Sequence, residues 1–406
     1  MWQFLFWASV AAVFYTYVGY PIILLILGLF RRGRHVHRDH ELPSVCLIIS
    51  AFNEENVIRH KIENSLELRY PRRLLRIVVA SDGSDDGTVG IVNEYAGRGV
   101  NVVHHTERRG KSAMLNDVIT GVTEDVVVFT DANSLFVPDA IERLAAHFTD
   151  PQTGCVVGKL RYIDGDVSPV GRGESIYWRY EAILSRLESV LRSVLVANGS
   201  IFAIRRELFR ELYPDVANDL QIPADVAMQK RGVVYEPNAV ATEQTAMHWH
   251  EEFDRKTRII LRGLTGFFVL RDRIRGFRRW QFVSRKLLRW MVGVFASIAF
   301  VANTVIADQS LFYTGLLAFH VVFYFAAMVG WMKRGDRTPN RFLYIPFYFT
   351  MVNSAALIAM ARFVGGRRQQ VWEKAHSTRG ASPDATLSAS SKESVDSRTE
   401  AVEFQR

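Results

Sequence analysis

The stretch Val126-Val-Val-Phe-Thr-Asp-Ala-Asn-Ser134 joins an apolar, β-branched run to a polar end. The run from Val126 to Phe129 predicts a strand that is buried on both faces, as in parallel sheets. Asp131 and Asn133 follow at its carboxyl end, where open α/β sheets bind their ligands. Their side-chain oxygens suit hard cations such as Mg²⁺ or Mn²⁺. The alternative interpretation is a strand followed by an ordinary Asp/Asn turn.

Apolar and amphipathic segments alternate around this strand, from about Leu42 to Gly263. This order is typical of βαβ units, which place helices on both faces of a mostly parallel sheet. The sequence therefore predicts an α/β fold. Further strands are predicted at 45–49, 76–80 and 100–103, and helices at 55–68, 88–96, 111–120, 138–148 and 174–192.

Long apolar runs lie at both ends of the 406-residue chain. Phe4 to Phe30 is long enough to span a bilayer, and Arg31-Arg-Gly-Arg34 follows it at once. Basic residues mark the cytoplasmic ends of spans, so the segment after Arg34 is predicted to be cytoplasmic. Three more spans are predicted, at 287–306, 311–331 and 342–363. We interpret the chain as a multi-pass protein of the cell membrane with a cytoplasmic soluble domain.

The net charge of +8 is concentrated beside these apolar runs. From Arg255 to Arg289, arginine and lysine are interleaved with aromatic residues, which is typical of helices at a membrane surface. Membrane lipids are therefore favoured over nucleic acid as the partner of the basic residues. The predicted organisation is an anchor at 1–32, a catalytic domain at 42–263, a basic interfacial segment at 264–288, membrane helices at 289–364 and a polar, disordered tail at 365–406.

Four side chains outside the polar loops are assigned to the core. Cys46 and Cys155 are the two cysteines of the chain, and both lie in apolar, strand-like surroundings. They are interpreted as buried thiols, which argues against a disulfide or a metal site. Trp178 and Tyr180, on the predicted helix at 174–192, are also interpreted as core residues in preference to a platform for a sugar.

Polar loops follow the predicted strands, and in a parallel sheet they converge on one edge. They are Ala51-Phe-Asn-Glu-Glu55, Ser81-Asp-Gly-Ser-Asp-Asp-Gly-Thr88, Arg109-Gly-Lys-Ser112 and Thr130-Asp-Ala-Asn133. Carboxylates, a cation and glycine turns at one edge suit a nucleoside diphosphate with its metal. Lys111 can neutralise phosphate charge, Asp131 can hold the metal, and Asp82 can accept a hydrogen bond from a base or ribose. The phosphate-binding motifs of P-loop and dinucleotide-binding proteins are missing from the sequence, which weakens those two interpretations.

Four motifs together resemble family 2 glycosyltransferases, more narrowly the membrane-integrated branch of cellulose, hyaluronan and poly-N-acetylglucosamine synthases. The resemblance covers roughly Leu42 to Gly263, and the flanking membrane segments fit it. It implies a GT-A type, Rossmann-like sheet flanked by transmembrane helices. The motifs are Ile49-Ser-Ala-Phe-Asn-Glu-Glu55, Asp82-Gly-Ser-Asp-Asp-Gly-Thr88, Gly110-Lys-Ser-Ala-Met-Leu-Asn116 and Phe129-Thr-Asp-Ala-Asn133.

The resemblance also implies site residues. Asp82 matches the aspartate that contacts uracil, and Ala51, Phe52, Asn53 and Glu54 would line the same nucleotide pocket. Asp131 matches the first aspartate of the metal-binding Asp-x-Asp, and Asn133 stands where the second would be.

Two later motifs complete the expected site. Asn218-Asp219 matches an acidic pair whose second member is the catalytic base, here Asp219, in a loop before a helix expected near Pro223. Arg258 would serve the diphosphate. Ile259 replaces the tryptophan with which processive synthases hold the polymer, so the resemblance does not settle whether transfer is processive.

The sequence therefore predicts an inverting glycosyltransferase that uses Mg²⁺ or Mn²⁺ and a UDP-sugar. The acceptor would be a growing polysaccharide or a lipid-linked glycan on the cytoplasmic face. Two alternatives stay open: transfer of a single sugar to a polyprenyl-type lipid, and a non-catalytic partner subunit with the same fold. Asn133 and Asn218 keep the last alternative open.

Overall fold

Strands and helices alternate through the middle of the chain, as the sequence predicts. A computed structural model describes residues 1–31, 41–163, 169–244, 249–333 and 340–367. The strands are β1 (Val45–Ala51), β2 (Leu75–Asp82), β3 (Val100–His105), β4 (Val126–Asp131), β5 (Leu135–Phe136), β6 (Thr153–Tyr162), β7 (Phe202–Arg205) and β8 (Gly232–Glu243). The helices are α1 (Trp2–Phe14), α2 (Tyr20–Leu29), α3 (Ile58–Leu66), α4 (Thr88–Asn93), α5 (Lys111–Thr120), α6 (Ala140–Ala146), α7 (Pro169–Val190), α8 (Asn218–Met228), α9 (Trp249–Leu270), α10 (Gly276–Phe282), α11 (Leu288–Trp290), α12 (Val292–Ile306), α13 (Leu311–Met332) and α14 (Arg341–Val364).

The strands form one sheet in the order β3-β2-β1-β4-β7-β6-β8-β5. The four predicted strands are neighbours and parallel: β1 lies between β2 and β4, and β2 pairs with β3. Their register brings the carboxyl ends to one edge, since Ser50 pairs with Asp131 and Ala51 pairs with Ser81. The expected convergence of the polar loops is confirmed.

The other half of the sheet is mixed. β7 is antiparallel to both β4 and β6, β6 is parallel to β8, and β5 is antiparallel to β8. The strand patterns of β5, β6 and β8 were not predicted. Glycines weaken the pattern of β6, and at Gly158 a Cβ would meet the carbonyl oxygen of Ala239 at 2.7 Å. The two backbones therefore approach too closely for a side chain.

Helices cover both faces of the sheet. Val126 and Val128 of β4 point to a cluster that includes residues of α3, α4 and α6. Val127 and Phe129 point to the opposite cluster, which includes residues of α5 and α8. The alternation confirms that β4 is buried on both faces. Cys46 and Cys155 are buried free thiols, as predicted.

The start of α8 corrects one expectation. The helix begins at Asn218, so Asp219 lies in its first turn and not in a loop, and Pro223 lies inside the helix. Proline cannot donate to the carbonyl four residues earlier, which here belongs to Asp219. That carbonyl accepts a hydrogen bond from the Ala197 N–H instead, at 2.8 Å. The interior proline is tolerated because a distant segment replaces the missing bond.

Within the part of the chain that the structure describes, four helices are long and apolar enough to cross a membrane: Trp2–Leu29, Val292–Gln309, Leu311–Met332 and Arg341–Val364. They agree with the predicted spans, except that the second begins at Val292 and not near 287. Phe6 of α1 packs against Ala299, Ala302 and Ile306 of α12. The predicted disordered tail lies outside the described residues beyond 367.

Candidate active site

The loop after β1 packs against the loop after β2. Asn53 has a left-handed backbone (φ 52°). Its amide nitrogen donates to the Asp85 carboxylate at 2.5 Å, and its amide oxygen accepts from the Asp85 backbone N–H at 2.9 Å. Phe52 is half-buried, and the Arg108 guanidinium lies 3.7 Å from the centre of its ring. Ala51 and Glu54 are buried. These four residues therefore form the wall beside Asp82 where the nucleotide pocket is predicted, and their contact with a nucleotide stays a prediction.

Asp82 fixes the next loop. Its two carboxylate oxygens accept the backbone N–H groups of Arg109 and Gly110, at 2.8 and 2.9 Å. Gly83 has φ +70°, and a Cβ there would meet the Arg108 nitrogen at 2.6 Å, so this close approach requires glycine. Asp82 thereby holds the turn that delivers Lys111 to the start of α5. Its predicted contact with a base is not tested by this geometry.

Lys111 forms an ion pair with Asp131, through Nζ and Oδ1. Both side chains are mostly shielded from solvent, with 17% and 19% exposed. The structure thus brings together the cation predicted for phosphate and the carboxylate predicted for metal.

The donor set suits a hard divalent cation. Asp131 and Asn133 offer oxygens to one cavity. Among the described residues no group of three or more His, Cys, Asp or Glu side chains is arranged to hold a metal. The described residues therefore offer few ligands, as at sites where Mg²⁺ or Mn²⁺ keeps water and phosphate oxygens as its other ligands.

Asp219 faces the same space as Asp131. A Cβ built on Gly199 would lie 3.8 Å from the Oδ2 atoms of both residues. Lys111, Asn133 and Arg258 line this cavity as well, and its volume is about 790 Å³. The structure therefore unites the predicted base, metal ligands and cations, while Ala51 to Glu54 and Asp82 stand outside the cavity wall.

Burial raises the pKa of the Asp219 carboxyl, and the nearby Asp131 carboxylate adds to the increase. The cations Lys111, Arg262 and Lys286 act in the opposite direction. A desolvated carboxylate with a raised pKa is a stronger proton acceptor than an exposed aspartate. This environment is suited to general-base chemistry.

The cavity extends from these residues to the membrane helices. Aromatic side chains form much of its wall, including Trp178 and Tyr180, which the sequence had assigned to the core. The aromatic residues that line it are Tyr17, Tyr162, Tyr177, Trp178, Tyr180, Tyr235, Phe282, Trp290, Tyr344, Tyr348 and Phe349. Ile259 also lines it and has 49% of its surface exposed.

Glu243, at the end of β8, is a site residue that the sequence analysis missed. It lines the cavity, and both Ser134 and Ser200 donate hydroxyl hydrogen bonds to its Oε1 atom. The available signal was an acid that ends a short alternating stretch, Ala239 to Thr242, whose end reaches the same sheet edge.

Comparison with known proteins agrees with this geometry. Residues 46–213 match the family model described as glycosyl transferase family 2. The probable glycosyltransferase YdaM of Bacillus subtilis (strain 168) is 28% identical over 317 residues, which cover 72% of this chain and 71% of YdaM. The poly-beta-1,6-N-acetyl-D-glucosamine synthase of Staphylococcus epidermidis is 23% identical over 219 residues, and this chain spans about half (52%) of that synthase.

A solved structure shares the fold over almost the whole chain. It is the mannosyltransferase PcManGT from Pyrobaculum calidifontis, in complex with GDP-Man and Mn²⁺. The TM-score is 0.71 at 22% identity, covering 90% of this chain and 100% of PcManGT. This likeness identifies the fold as GT-A. Residues 46–213 therefore form a glycosyl transferase family 2 domain, and the family match, the relatives and the fold together show a nucleotide-sugar-dependent glycosyltransferase that is similar to a polysaccharide synthase.

Proposed function

We propose that the protein is a membrane-embedded inverting glycosyltransferase that moves a sugar from a UDP-sugar to a growing polysaccharide or lipid-linked glycan. One observation carries the proposal: Lys111, Asp131 and Asp219 line a single cavity that continues to the membrane helices. Groups for the departing diphosphate and for the attacking hydroxyl are thus a short distance apart. An in-line displacement needs this arrangement.

Asp219 is the proposed base. A sugar hydroxyl is a weak nucleophile, and a carboxylate within hydrogen-bond reach can take its proton as the glycosidic bond forms. The proton passes to the Asp219 carboxylate, and the donor's bond to the diphosphate breaks on the opposite face of the sugar. The first turn of α8 holds Asp219 rigidly, because its carbonyl is bonded to Ala197.

Asp131, Asn133, Lys111 and Arg258 are proposed to bind the diphosphate end of the donor. Asp131 and Asn133 would hold Mg²⁺ or Mn²⁺, which neutralises charge on the departing diphosphate. Lys111 is paired with Asp131 in the free protein and can turn to the phosphates when a cation takes its place on that carboxylate. Ala51, Phe52, Asn53, Glu54 and Asp82 would hold the uridine.

The membrane end of the cavity supports an acceptor that arrives from the bilayer. Tyr17 of the first span and Tyr344 and Tyr348 of the last line that end. Aromatic faces can stack on sugar rings, while their apolar surface tolerates lipid. The basic cluster Arg31 to Arg34 supports a donor side of the cavity that faces the cytoplasm, where nucleotide sugars would enter.

The second candidate is transfer of one sugar to a polyprenyl-type lipid. Ile259 favours it, because an aliphatic, half-exposed side chain lies on the cavity wall where the resemblance places the polymer-holding tryptophan. An aliphatic side chain contacts an isoprenoid well but does not stack on a sugar.

Release of nucleoside diphosphate tests the proposal. The purified full-length protein in detergent is incubated with Mn²⁺ and a panel of UDP-sugars, with GDP-mannose as the comparison. We expect UDP from one UDP-sugar, with Asp131→Ala inactive. Mass spectrometry of the product then separates a polymer from a singly glycosylated lipid. Turnover of GDP-mannose alone would overturn the choice of donor.

A further inference from the structure

Glu243 joins two turns that come from distant parts of the sequence. It is the last residue of β8, whose end is fixed on both sides: Thr242 pairs with Leu135 of β5, and Glu243 pairs with Tyr162 of β6. Its side chain therefore starts from a rigid backbone at the sheet edge that carries the active site.

The two serines that donate to Glu243 belong to two turns of the candidate site, which we name the donor turn (131–134) and the acceptor turn (198–200) after the substrates that they are proposed to face. Ser134 follows Asp131 and Asn133, and donates at 2.5 Å. Ser200 follows Gly199, and the Asp131 and Asp219 carboxylates both lie near Gly199. The Ser200 hydroxyl donates to the same Oε1 atom of Glu243. One oxygen thus holds the donor turn and the acceptor turn together. Charge-assisted bonds of this kind are about twice as strong as neutral ones.

Two further contacts hold the same pair of turns. The Thr130 hydroxyl donates to the carbonyl of Ser200 at 2.8 Å, so β4 also contacts the acceptor turn directly. Lys61 of α3 is fully buried, and its Nζ donates to the carbonyl of Ser134. The position of Ser134 is therefore set from both its side chain and its main chain.

The negative charge of Asp131 also acts on the Glu243 carboxyl. Burial raises the pKa of the Glu243 carboxyl, and the charge of Asp131 raises it further. A second buried acid beside the metal-binding carboxylate is costly, and a role confined to packing would be met more cheaply by a neutral side chain. Its hydrogen bonds to both turns account for the acid at this position.

We propose that Glu243 is a positioning residue: it fixes the Asp131 turn relative to the Asn198–Ser200 turn, and so aligns the donor with the hydroxyl that Asp219 activates. The proposal rests on the transfer reaction proposed above. Displacements near 1 Å in such an alignment cost about a hundredfold in rate.

Three variants of the full-length protein test the alignment. Glu243→Gln keeps a carbonyl oxygen that can accept from both serines, whereas Glu243→Ala removes it. Glu236→Ala is the matched control, because Glu236 lies on the same strand and bonds His147 at 2.8 Å, away from the cavity. We expect Glu243→Ala to lower kcat by about a hundredfold while Mn²⁺-dependent UDP affinity stays near that of the parent protein.

The other variants define what overturns the proposal. Glu243→Gln should keep kcat within about tenfold of the parent value, because its carbonyl oxygen can still accept from both serines through weaker, neutral hydrogen bonds. Equal loss in Glu243→Gln and Glu243→Ala would instead assign a charge role, such as metal ligation, and the positioning role would be wrong. Unchanged kcat in Glu243→Ala would also overturn it.

Amide hydrogen exchange gives a readout that does not depend on turnover. Glu243→Ala should increase exchange at both 130–134 and 197–201, with no such change in Glu236→Ala. If the parent protein releases no UDP, the proposed reaction fails, and exchange alone then decides whether Glu243 joins the two turns. Unchanged exchange in either segment would refute the link.

Discussion

Asp219→Asn isolates proton transfer from every other contribution of this residue. Asparagine has almost the same size, but its amide cannot accept the proton of the attacking hydroxyl. The hydrogen bond that anchors the residue uses its main-chain carbonyl, which accepts from Ala197 at 2.8 Å, so it survives the substitution. A negative charge in the first turn of a helix contributes about 0.3–1 kcal/mol, and burial of that charge opposes this gain. We therefore expect the free energy of unfolding to change by less than about 1 kcal/mol.

The expected loss of activity is much larger. General-base catalysis contributes roughly a hundredfold to ten-thousandfold. Each factor of ten corresponds to about 1.36 kcal/mol, so the activation free energy should rise by about 3–5 kcal/mol. UDP affinity should stay unchanged, because Lys111 and Asp131 are intact. The substitution should therefore lower kcat and leave donor binding alone.

Three measurements on one preparation give this result: UDP release, equilibrium binding of UDP with Mn²⁺, and thermal unfolding. Asp225→Asn is the matched control. Asp225 lies on the same helix, is buried, and accepts a hydrogen bond from Gln221 at 3.1 Å. It does not line the cavity, so its substitution should leave kcat unchanged.

The pH dependence offers a second test of the same assignment. Activity should fall as pH decreases through the pKa of Asp219, which burial raises above that of an ordinary aspartate. Arg262 lowers this pKa, so Arg262→Gln should move the acid limb of kcat to higher pH.

Retention of more than about a tenth of the parent rate in Asp219→Asn would refute the base assignment. The base would then lie elsewhere, and Asp215 would be the next residue to replace. A lost acid limb in Asp219→Asn together with residual activity would instead indicate that Asp219 titrates in the profile but is not obligatory.

Three more predictions concern other parts of the molecule. Asp131→Ala should weaken UDP binding only when Mn²⁺ is present, and equal UDP affinity of the parent protein with and without metal would contradict the metal assignment. Arg285→Met leaves Glu188 buried without its cation, so thermal unfolding should report a loss of about 3–5 kcal/mol, which an unchanged melting temperature would contradict. Gly83→Ala forces a side chain against the Arg108 backbone at a positive φ and should cost at least about 1–3 kcal/mol, whereas Gly97→Ala, with open space around it, should be tolerated.

The sequence predicts the parallel half of the sheet because its signals are local. Runs such as Val126 to Phe129 need no distant partner to be recognised as buried strands, and the polar residues that end them mark the sheet edge. Lys111 and Asp131 therefore come together as expected. The apolar spans are equally local, and three of the four predicted spans agree with the structure to within about two residues.

The missed features depend on contacts between distant segments. Pro223 predicts a helix start, and only the Ala197 N–H, which replaces the missing bond, lets the helix begin at Asn218. Glu243 belongs to the site because it accepts hydrogen bonds from Ser134 and Ser200, which are far from it in sequence. Such partners carry no periodic signal.

The aromatic cavity was unpredictable for a related reason. Trp178 and Tyr180 sit on α7, a helix whose apolar residues recur at helical spacing, and only the docking of the membrane helices shows that both side chains line a cavity. Buried ion pairs fix that docking: Glu181 and Glu188 of α7 both bind Arg285, which precedes the second span. Each charge is matched across the interface, as a buried pair requires.

A proline lies near each end of this cavity, in α2 and in α8. Pro223 frees the carbonyl of Asp219 at the catalytic end, and Pro21 of the first span likewise cannot donate to the carbonyl of Tyr17, four residues earlier. That second carbonyl accepts the hydroxyl of Tyr180 from α7 at 3.1 Å. A buried carbonyl without a hydrogen-bond partner destabilises the fold. Each proline therefore favours a hydrogen bond from a distant segment to the carbonyl four residues before it. The first span is thereby joined to the soluble domain at Tyr17, a residue of the cavity wall. At the other end, α8 is joined to Ala197, which directly precedes the acceptor turn. One hydrogen bond thus joins the first span to α7, and another joins α8 to the segment that carries Ala197.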